Sequence, residues 1–301
     1  MKVESQRLRN CPACGASAVE DRGEKNGFPI VSCRNCGTLY ASCLPDESNA
    51  QDYDDYYTPR NLSVPDFIQR RIEEIVAGFS SYRLQNRLLE LGFGEGSLLR
   101  AAARAGWDVE GIEVSRTAVE HVRAYGLNAF CGELSDASYA DASFDVVMAS
   151  ELLEHVTDPQ RMLKEVARIL RKGGLFWATT PNGRGMSARL LGIKWSVNSP
   201  PEHLHLFSSR GVAKLLTDAG FERVRIITHG VNPFEIWQAL RKSARSNGNA
   251  SACTGCERVE SGYQLNEALL RSRSRRALKN MMNGLLKVSH LGDSLKIRAE
   301  R

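Results

Sequence analysis

Six of the eight cysteines stand in three C-x-x-C pairs, Cys11/Cys14, Cys33/Cys36 and Cys253/Cys256, a spacing at which two thiolates can hold one metal ion. The first two pairs are 18 residues apart and each is followed by glycine, in CPACG and CRNCG. Glycine there lets the backbone turn so that its amides face the thiolates. The pattern predicts a tetrahedral zinc site with Cys11, Cys14, Cys33 and Cys36 as ligands. Four thiolates leave no position for water or substrate, so this zinc is expected to be structural and to stabilise a segment too short to fold alone. Cys253/Cys256 lie in the polar stretch SNGNASACTGCERVESG. They read as flexible-loop cysteines, with a half-site completed by a second chain and a redox pair as the other readings. Cys43 and Cys131 read as packing residues.

A second chemistry is carried by Glu90-Leu91-Gly92-Phe93-Gly94-Glu95-Gly96, where an apolar run gives way to an amphipathic one. Glycines permit a tight turn and close ligand approach, and a following helix offers unpaired amides. A dinucleotide fingerprint asks for glycine at position 97, which is Ser97, and this counts against an NAD-dependent dehydrogenase. Glu113 ends the next apolar run, where a carboxylate can accept hydrogen bonds from both hydroxyls of a ribose. Histidine is the side chain best suited to take a proton near neutral pH, and His155, His203 and His205 are the candidates. His155 precedes Asp158-Pro159 and reads as ordering that loop. His203 and His205 lie in PPEHLHLFS, between the fifth expected strand and the next helix, and His203 is the preferred base.

These residues need a scaffold that brings strand ends together. Short apolar runs at Leu88–Leu91, Val109–Val114, Asn128–Cys131, Phe144–Ala149 and Leu175–Thr179 alternate with amphipathic stretches. That alternation predicts an α/β fold with a parallel sheet and helices on both faces. A helix is expected from Pro65 to about Phe79. Another, bearing Met162, Leu163, Val166, Ile169 and Leu170 at helical spacing, leads into a Lys172-Gly173-Gly174 turn. A helix from about Ser208 to Ala219 leads to a sixth strand, Val224–Ile227, and Ser294–Ala299 can form a seventh. The expected organisation is a zinc ribbon over 1–45, a connector and helix over 46–80, and a main domain over 81–230 plus 293–301. A helical insertion with a flexible loop occupies 231–292.

The chain has 301 residues and 33.4 kDa, with 42% hydrophobic and 25% charged residues and a mean hydropathy of −0.33. Wholesale disorder and collagen-like repeats are excluded. No run approaches the ~18 uncharged apolar residues of a bilayer span, and MKVESQRLRNCPAC carries no apolar run like a signal peptide, so a cytoplasmic protein is expected. Net charge is +5, but residues 231–301 carry +7 and residues 1–230 carry −2. The basic run Arg271-Ser-Arg273-Ser-Arg275-Arg276 could face a phosphorylated carrier or an anionic membrane, and a solvated helix face explains it equally well. A nucleic-acid-binding module is a weaker alternative, because the cysteine segment lacks interleaved basic and aromatic residues.

Taken together, LLELGFGEG, GIEVS, CGEL, SFDVVMASELLEHVTDP, LRKGG and PPEHLHLFSSRGVAKLLTDAGF resemble the class I S-adenosylmethionine (SAM)-dependent methyltransferases over about residues 82–230. The paired Cys-x-x-Cys-Gly units with a tyrosine-rich connector more loosely resemble zinc-carrying members that act on sugars and other small molecules. The resemblance implies a seven-stranded Rossmann-like fold and methyl transfer, O-directed, to a sugar or other hydroxylated small molecule. It implies that Glu90 and Gly92 approach the methionine end of SAM and that Gly94 and Gly96 complete the loop. Glu113 would bind the ribose, Glu133 and the Leu134 backbone would lie beside the adenine, and Ser150 and Glu151 would border the methionine or acceptor pocket. Family members often carry Asp where Glu133 stands, and a small residue where Phe93 stands.

Overall fold

An Asn-Gly pair forms the first hairpin. Asn26 and Gly27 both adopt positive φ, 52° and 80°, the geometry of a two-residue hairpin turn, and join strand β1 (Val19–Lys25) to β2 (Phe28–Cys33). The computed structural model describes residues 9–45, 66–233, 235–237, 281, 284–286 and 288–301, with 66 and 67 as backbone. Cys253, Cys256, the basic run 271–276 and most of the expected insertion lie outside the described residues. The chain divides into two compact units. The first comprises 1–45, 181–211 and 227–296, and the second comprises 46–180, 212–226 and 297–301.

In the first unit β2 pairs with β3 (Leu39–Ala41), and β3 pairs antiparallel with a two-residue strand, β9 (His205–Leu206), opposing Tyr40 to His205. The resulting sheet has the order β1-β2-β3-β9. Ile30, Leu39, Ala41, Ala188, Trp195 and Leu206 form its buried core. The expected loop PPEHLHLFS is therefore in part a strand. A short helix, α5 (Met186–Leu191), precedes β9; the Asp293 carboxylate accepts the Ser187 amide at 2.8 Å and its hydroxyl at 2.6 Å.

The second unit begins with α1 (Asp66–Ala77), whose Ile72 and Val76 pack with Phe79 into the main core. The large sheet contains β4 (Arg87–Leu91), β5 (Asp108–Glu113), β6 (Asn128–Cys131), β7 (Phe144–Ser150), β8 (Leu170–Pro181), β10 (Glu222–His229) and β11 (Ser294–Glu300). Its order is β10-β11-β8-β7-β4-β5-β6, and β8, β7, β4, β5 and β6 are parallel. Strand β11 runs against β8, since Gly173 pairs with Arg301 at one end and Asn182 with Asp293 at the other. The seven-stranded α/β architecture expected from the sequence is thus observed, with one local correction. Lys172-Gly173-Gly174 is not a turn but the start of β8, because Gly173 donates to Arg301 O and Arg301 donates to Gly174 O.

Helices α2 (Ser97–Arg104), α3 (Arg116–Arg123), α4 (Pro159–Ile169) and α6 (Ser209–Asp218) complete the set. Ser115 caps α3 through the Ala118 amide, and Asp158 caps α4 through Arg161, with proline in its first turn. At the base of β7, the wholly buried Asp145 accepts Arg171 Nε at 2.5 Å and the amides of Leu84 and Gln85. Burial alone would raise its pKa, but the guanidinium and the amides outweigh burial and hold it below the usual carboxylate range.

Candidate functional site

Strand order reverses at β4, whose neighbours β5 and β7 lead to opposite sides of the sheet. Ligands of open α/β sheets bind beyond the carboxyl ends of the strands at such a switch point. Gly92, Gly94 and Gly96 follow β4 with φ of 62°, 54° and 73°. At Gly96 a Cβ would meet Val122 Cγ2 at 2.5 Å, and at Gly92 it would meet Leu152 Cδ1 at 2.8 Å. Conformation and space both require glycine there. Phe93, bulky for such a loop, turns into the core over Gly111 of β5, where a Cβ would lie 2.5 Å from its ring.

Glu113 ends β5. Its Oε2 accepts the Gly94 amide at 3.1 Å, and its Oε1 accepts Val114 at 2.8 Å and Ser115 at 3.2 Å. Glu90, on β4, is buried, and its Oε2 has no partner among the described residues. Burial first, then the charges of Glu95 and Glu113, push its pKa well above the ordinary value. A buried carboxyl with an unused oxygen is costly unless something pairs with it. The ammonium of SAM is such a group, so the residues present fit that cofactor. Glu133 is exposed after β6, its amide donating to Asp136, and Leu134 beside it is buried.

Beyond β7, the Ser150 hydroxyl lies 3.1 Å from that of Thr179. Glu151 takes a left-handed φ of 49° and donates its amide to Thr179 O at 2.9 Å. Glu154, absent from the sequence-derived candidates, is wholly buried; its Oε2 accepts Thr180 Oγ1 at 2.8 Å and its Oε1 has no partner among the described residues. Burial raises the pKa of both Glu151 and Glu154, and the Glu151 charge raises Glu154 further. Glu151 is nevertheless accessible to solvent. The spacing Glu-x-x-Glu at a strand end was the available signal for Glu154.

In the first unit the sulfurs of Cys11, Cys14, Cys33 and Cys36 lie within 4.8 Å of one another. Cys11–Cys36 is 3.5 Å and Cys14–Cys33 is 3.6 Å. Zinc–sulfur bonds of about 2.3 Å in a tetrahedron set sulfurs about 3.8 Å apart, so this donor set fits zinc. Ser208 Oγ donates to Cys36 O at 2.5 Å and accepts the Gly211 amide at 2.9 Å, bracing the second cysteine turn.

The two candidate bases differ in their hydrogen bonds. His203 Nδ1 faces the Val197 carbonyl at 2.5 Å. A carbonyl only accepts, so Nδ1 carries the proton and Nε2 is the basic nitrogen of the neutral ring. His205 is buried in β9 and its Nδ1 lies 3.1 Å from Arg9 Nη2, which only donates. Both histidines remain candidates, and they differ in that the His205 Nδ1 lone pair is occupied by Arg9. His205 also braces the small sheet.

The strand order, the reversed β11 and the acidic glycine loop define a class I SAM-dependent methyltransferase. A family model described as "Methyltransferase domain" matches residues 64–226, more than half of the chain, and the chain belongs to that family. Over 161 residues it is 32% identical to a "Ubiquinone biosynthesis O-methyltransferase" of Methylococcus capsulatus, covering 49% of this chain and 68% of the relative. Over 177 residues it is 30% identical to a Mycobacterium tuberculosis protein named "Probable S-adenosylmethionine-dependent methyltransferase", covering 56% of this chain and 62% of the relative. A SAM-dependent methyltransferase from Archaeoglobus fulgidus shares the fold with a TM-score of 0.54 at 15% identity, over 83% of this chain and all of that one. The chain is thus an enzyme of the SAM-dependent methyltransferase class, and the dehydrogenase and nucleic-acid-binding readings are not favoured. Among the described residues no helix is long and apolar enough to cross a membrane.

Proposed function

We propose that the protein transfers the methyl group of SAM to a hydroxyl of a sugar or other hydroxylated small molecule. The observation that carries the cofactor half of this reading is the buried Glu90, whose Oε2 has no partner among the described residues, beside three left-handed glycines. Glu90 and Gly92 would hold the methionine end of SAM, Gly94 and Gly96 would allow its close approach, and Glu113 would accept the ribose hydroxyls. Glu133 and the Leu134 backbone would flank the adenine. Ser150 and Glu151 would border the methionine or acceptor. When bound, SAM supplies an activated methyl on a sulfonium. The protein must then align the acceptor oxygen and accept its proton, and alignment can carry much of the rate. His203 presents a basic Nε2 suited to that proton. O-direction is supported by the name of the Methylococcus capsulatus relative.

The four cysteines would hold one structural zinc, within a ribbon over 1–45. The connector 46–80, the SAM-binding domain 81–230 plus 293–301 and the insertion 231–292 complete the proposed organisation. A peripheral membrane contact through the basic tail and a cytoplasmic location belong to the same proposal. Calorimetry with SAM and S-adenosylhomocysteine, followed by transfer of labelled methyl from SAM to a panel of sugars, nucleotide sugars and phenols, tests it. A folded, zinc-loaded sample that binds neither cofactor form would overturn the reading. Label appearing only on amines would overturn its O-directed half.

A further inference from the structure

A concavity lies in the first unit beside the Cys33–Cys36 turn, with a volume of about 660 Å³. Its lining is strongly basic. Arg22, Arg34, Arg184 and Arg210 face a single carboxylate, Glu20, which Arg22 already engages at 3.2 Å. The four come from separate places in the chain: β1, the second cysteine turn, the segment after β8 and the first turn of α6. Among the described residues no carboxylate lies within ion-pair distance of Arg34, Arg184 or Arg210.

Two of these side chains are held in place. Arg34 Nε donates to Val19 O at 3.0 Å. The stem of Arg184 lies along Gly37, where a Cβ would meet its Cδ at 3.4 Å. The Cys33 and Cys36 sulfurs in the floor are buried while the four arginines are exposed; a four-thiolate zinc centre would carry a formal charge of about −2 and offset part of the arginine charge from below, leaving the outer guanidinium ends to face solvent. Like charges gathered in a hollow repel one another unless an anion is shared between them. A guanidinium matches a phosphate with two parallel hydrogen bonds, which a lysine cannot do. The lining contains no aromatic residue on which a base could stack, and a hollow of this volume suits a small ligand better than a polymer.

We propose that this pocket binds a phosphate or diphosphate ester. The proposal is independent of the methyl-transfer reading, since every residue in it belongs to the cysteine-bearing unit. The test is calorimetry on the full, zinc-loaded chain with inorganic pyrophosphate and with uridine diphosphate at about 0.1 M salt. Saturable binding is expected. The double substitution Arg184→Gln/Arg210→Gln should weaken it by ~10- to 100-fold, the loss of one or two charge-assisted contacts. Arg225→Gln, on the exposed face of β10 and outside the pocket, should leave it unchanged. Equal zinc content and unfolding temperature establish that the double variant is folded; should it lose zinc, Arg184→Gln alone serves. Sedimentation with phosphatidylcholine vesicles containing phosphatidic acid separates the sources of the group: retention lost in the variant and competed by pyrophosphate assigns the phosphate to a lipid headgroup, and no retention assigns it to a soluble ester. The proposal fails if pyrophosphate does not bind, if the variant binds it undiminished, or if only RNA is retained with affinity growing with its length.

Discussion

Glu113 and Gly94 join the ends of two adjacent strands: the carboxylate at the end of β5 accepts the loop amide after β4 at 3.1 Å. The same carboxylate accepts two amides of its own turn, so it is fixed before any ligand arrives. Fixed acceptors lose little entropy on binding. Glu113→Ala should therefore lower SAM affinity ~10- to 100-fold, the value of one or two hydrogen bonds to a charged group. Calorimetry with SAM, beside a circular dichroism check of the fold, decides this; unchanged affinity in a folded variant would remove Glu113 from the cofactor site.

Two glycines separate strain from steric exclusion. Gly96 and Gly126 share nearly the same φ, 73° and 76°, but a Cβ meets Val122 Cγ2 at 2.5 Å at the first and nothing within 4 Å at the second. Gly126→Ala should cost only the left-handed backbone penalty, about 1 kcal/mol. Gly96→Ala should cost about 1–3 kcal/mol more, as overpacked cores do, and should abolish SAM binding. Urea titrations of both variants test the difference, and equal losses would mean that the loop yields without steric penalty.

Most of the large sheet was legible in sequence because its strands are short apolar runs set off by glycine and cap residues. Met162, Leu163, Val166, Ile169 and Leu170 at helical spacing gave α4 before any tertiary contact was known. What escaped depends on partners far along the chain. His205–Leu206 is a strand only because Tyr40 and Leu39 lie opposite it, and Gly173-Gly174 is strand rather than turn only because Arg301 pairs with it. Local pattern carries no record of either pairing. For the site, the glycine loop and Glu113 were readable from spacing, whereas the tautomer of His203 rests on Val197 O and the occupied Nδ1 of His205 on Arg9. The arginine pocket escaped for the same reason, since its four members are spread from position 22 to position 210.

Metal analysis should find about one zinc per chain. Cys33→Ser removes one of four thiolates and should unfold the segment around β1 to β3, since a closed four-thiolate shell contributes folding free energy directly. SAM affinity should remain, because Glu90, Glu113 and the glycine loop belong to the other compact unit. Hydrogen exchange reports the local unfolding. Full protection of β1 to β3 in a zinc-free variant would show that the metal does not stabilise this segment, and a wild-type chain that takes up no zinc would show that the sulfurs are not a metal site.

Glu154 links stability to pH. Its folded-state pKa is raised, chiefly by burial and then by the Glu151 charge, above the ~4.3 of an unfolded glutamate. Between those values the folded state binds more protons than the unfolded one, so the contribution of Glu154 is fully present below about pH 4 and is lost as pH rises through the folded pKa. Glu154→Gln is permanently neutral. Relative to wild type it should gain stability from pH 5 to pH 8, by at most about 1.4 kcal/mol per pH unit. Glu90 shifts in the same direction and remains in the variant, so the slope should shrink rather than vanish. Urea titrations at pH 5 and pH 8 measure it, and a pH-independent difference between the two proteins would refute the assignment.

His203 and His205 lie two residues apart yet should fail in different ways. His205→Ala strips the Arg9 guanidinium of a buried acceptor and opens space beside Tyr40, and should cost about 1–3 kcal/mol of stability. Turnover per folded molecule should stay near normal. His203→Ala should leave folding and SAM affinity near normal and reduce turnover ~10²- to 10⁴-fold, the range for loss of a general base. The wild-type rate should rise with pH as the imidazole loses its second proton, because only the neutral ring, protonated on Nδ1 by its bond to Val197 O, can accept a proton at Nε2. That limb should be missing in His203→Ala and intact in His205→Ala. If His203→Ala keeps both its rate and its pH limb, the proton goes elsewhere, and Glu151, at the end of β7, becomes the group to substitute next.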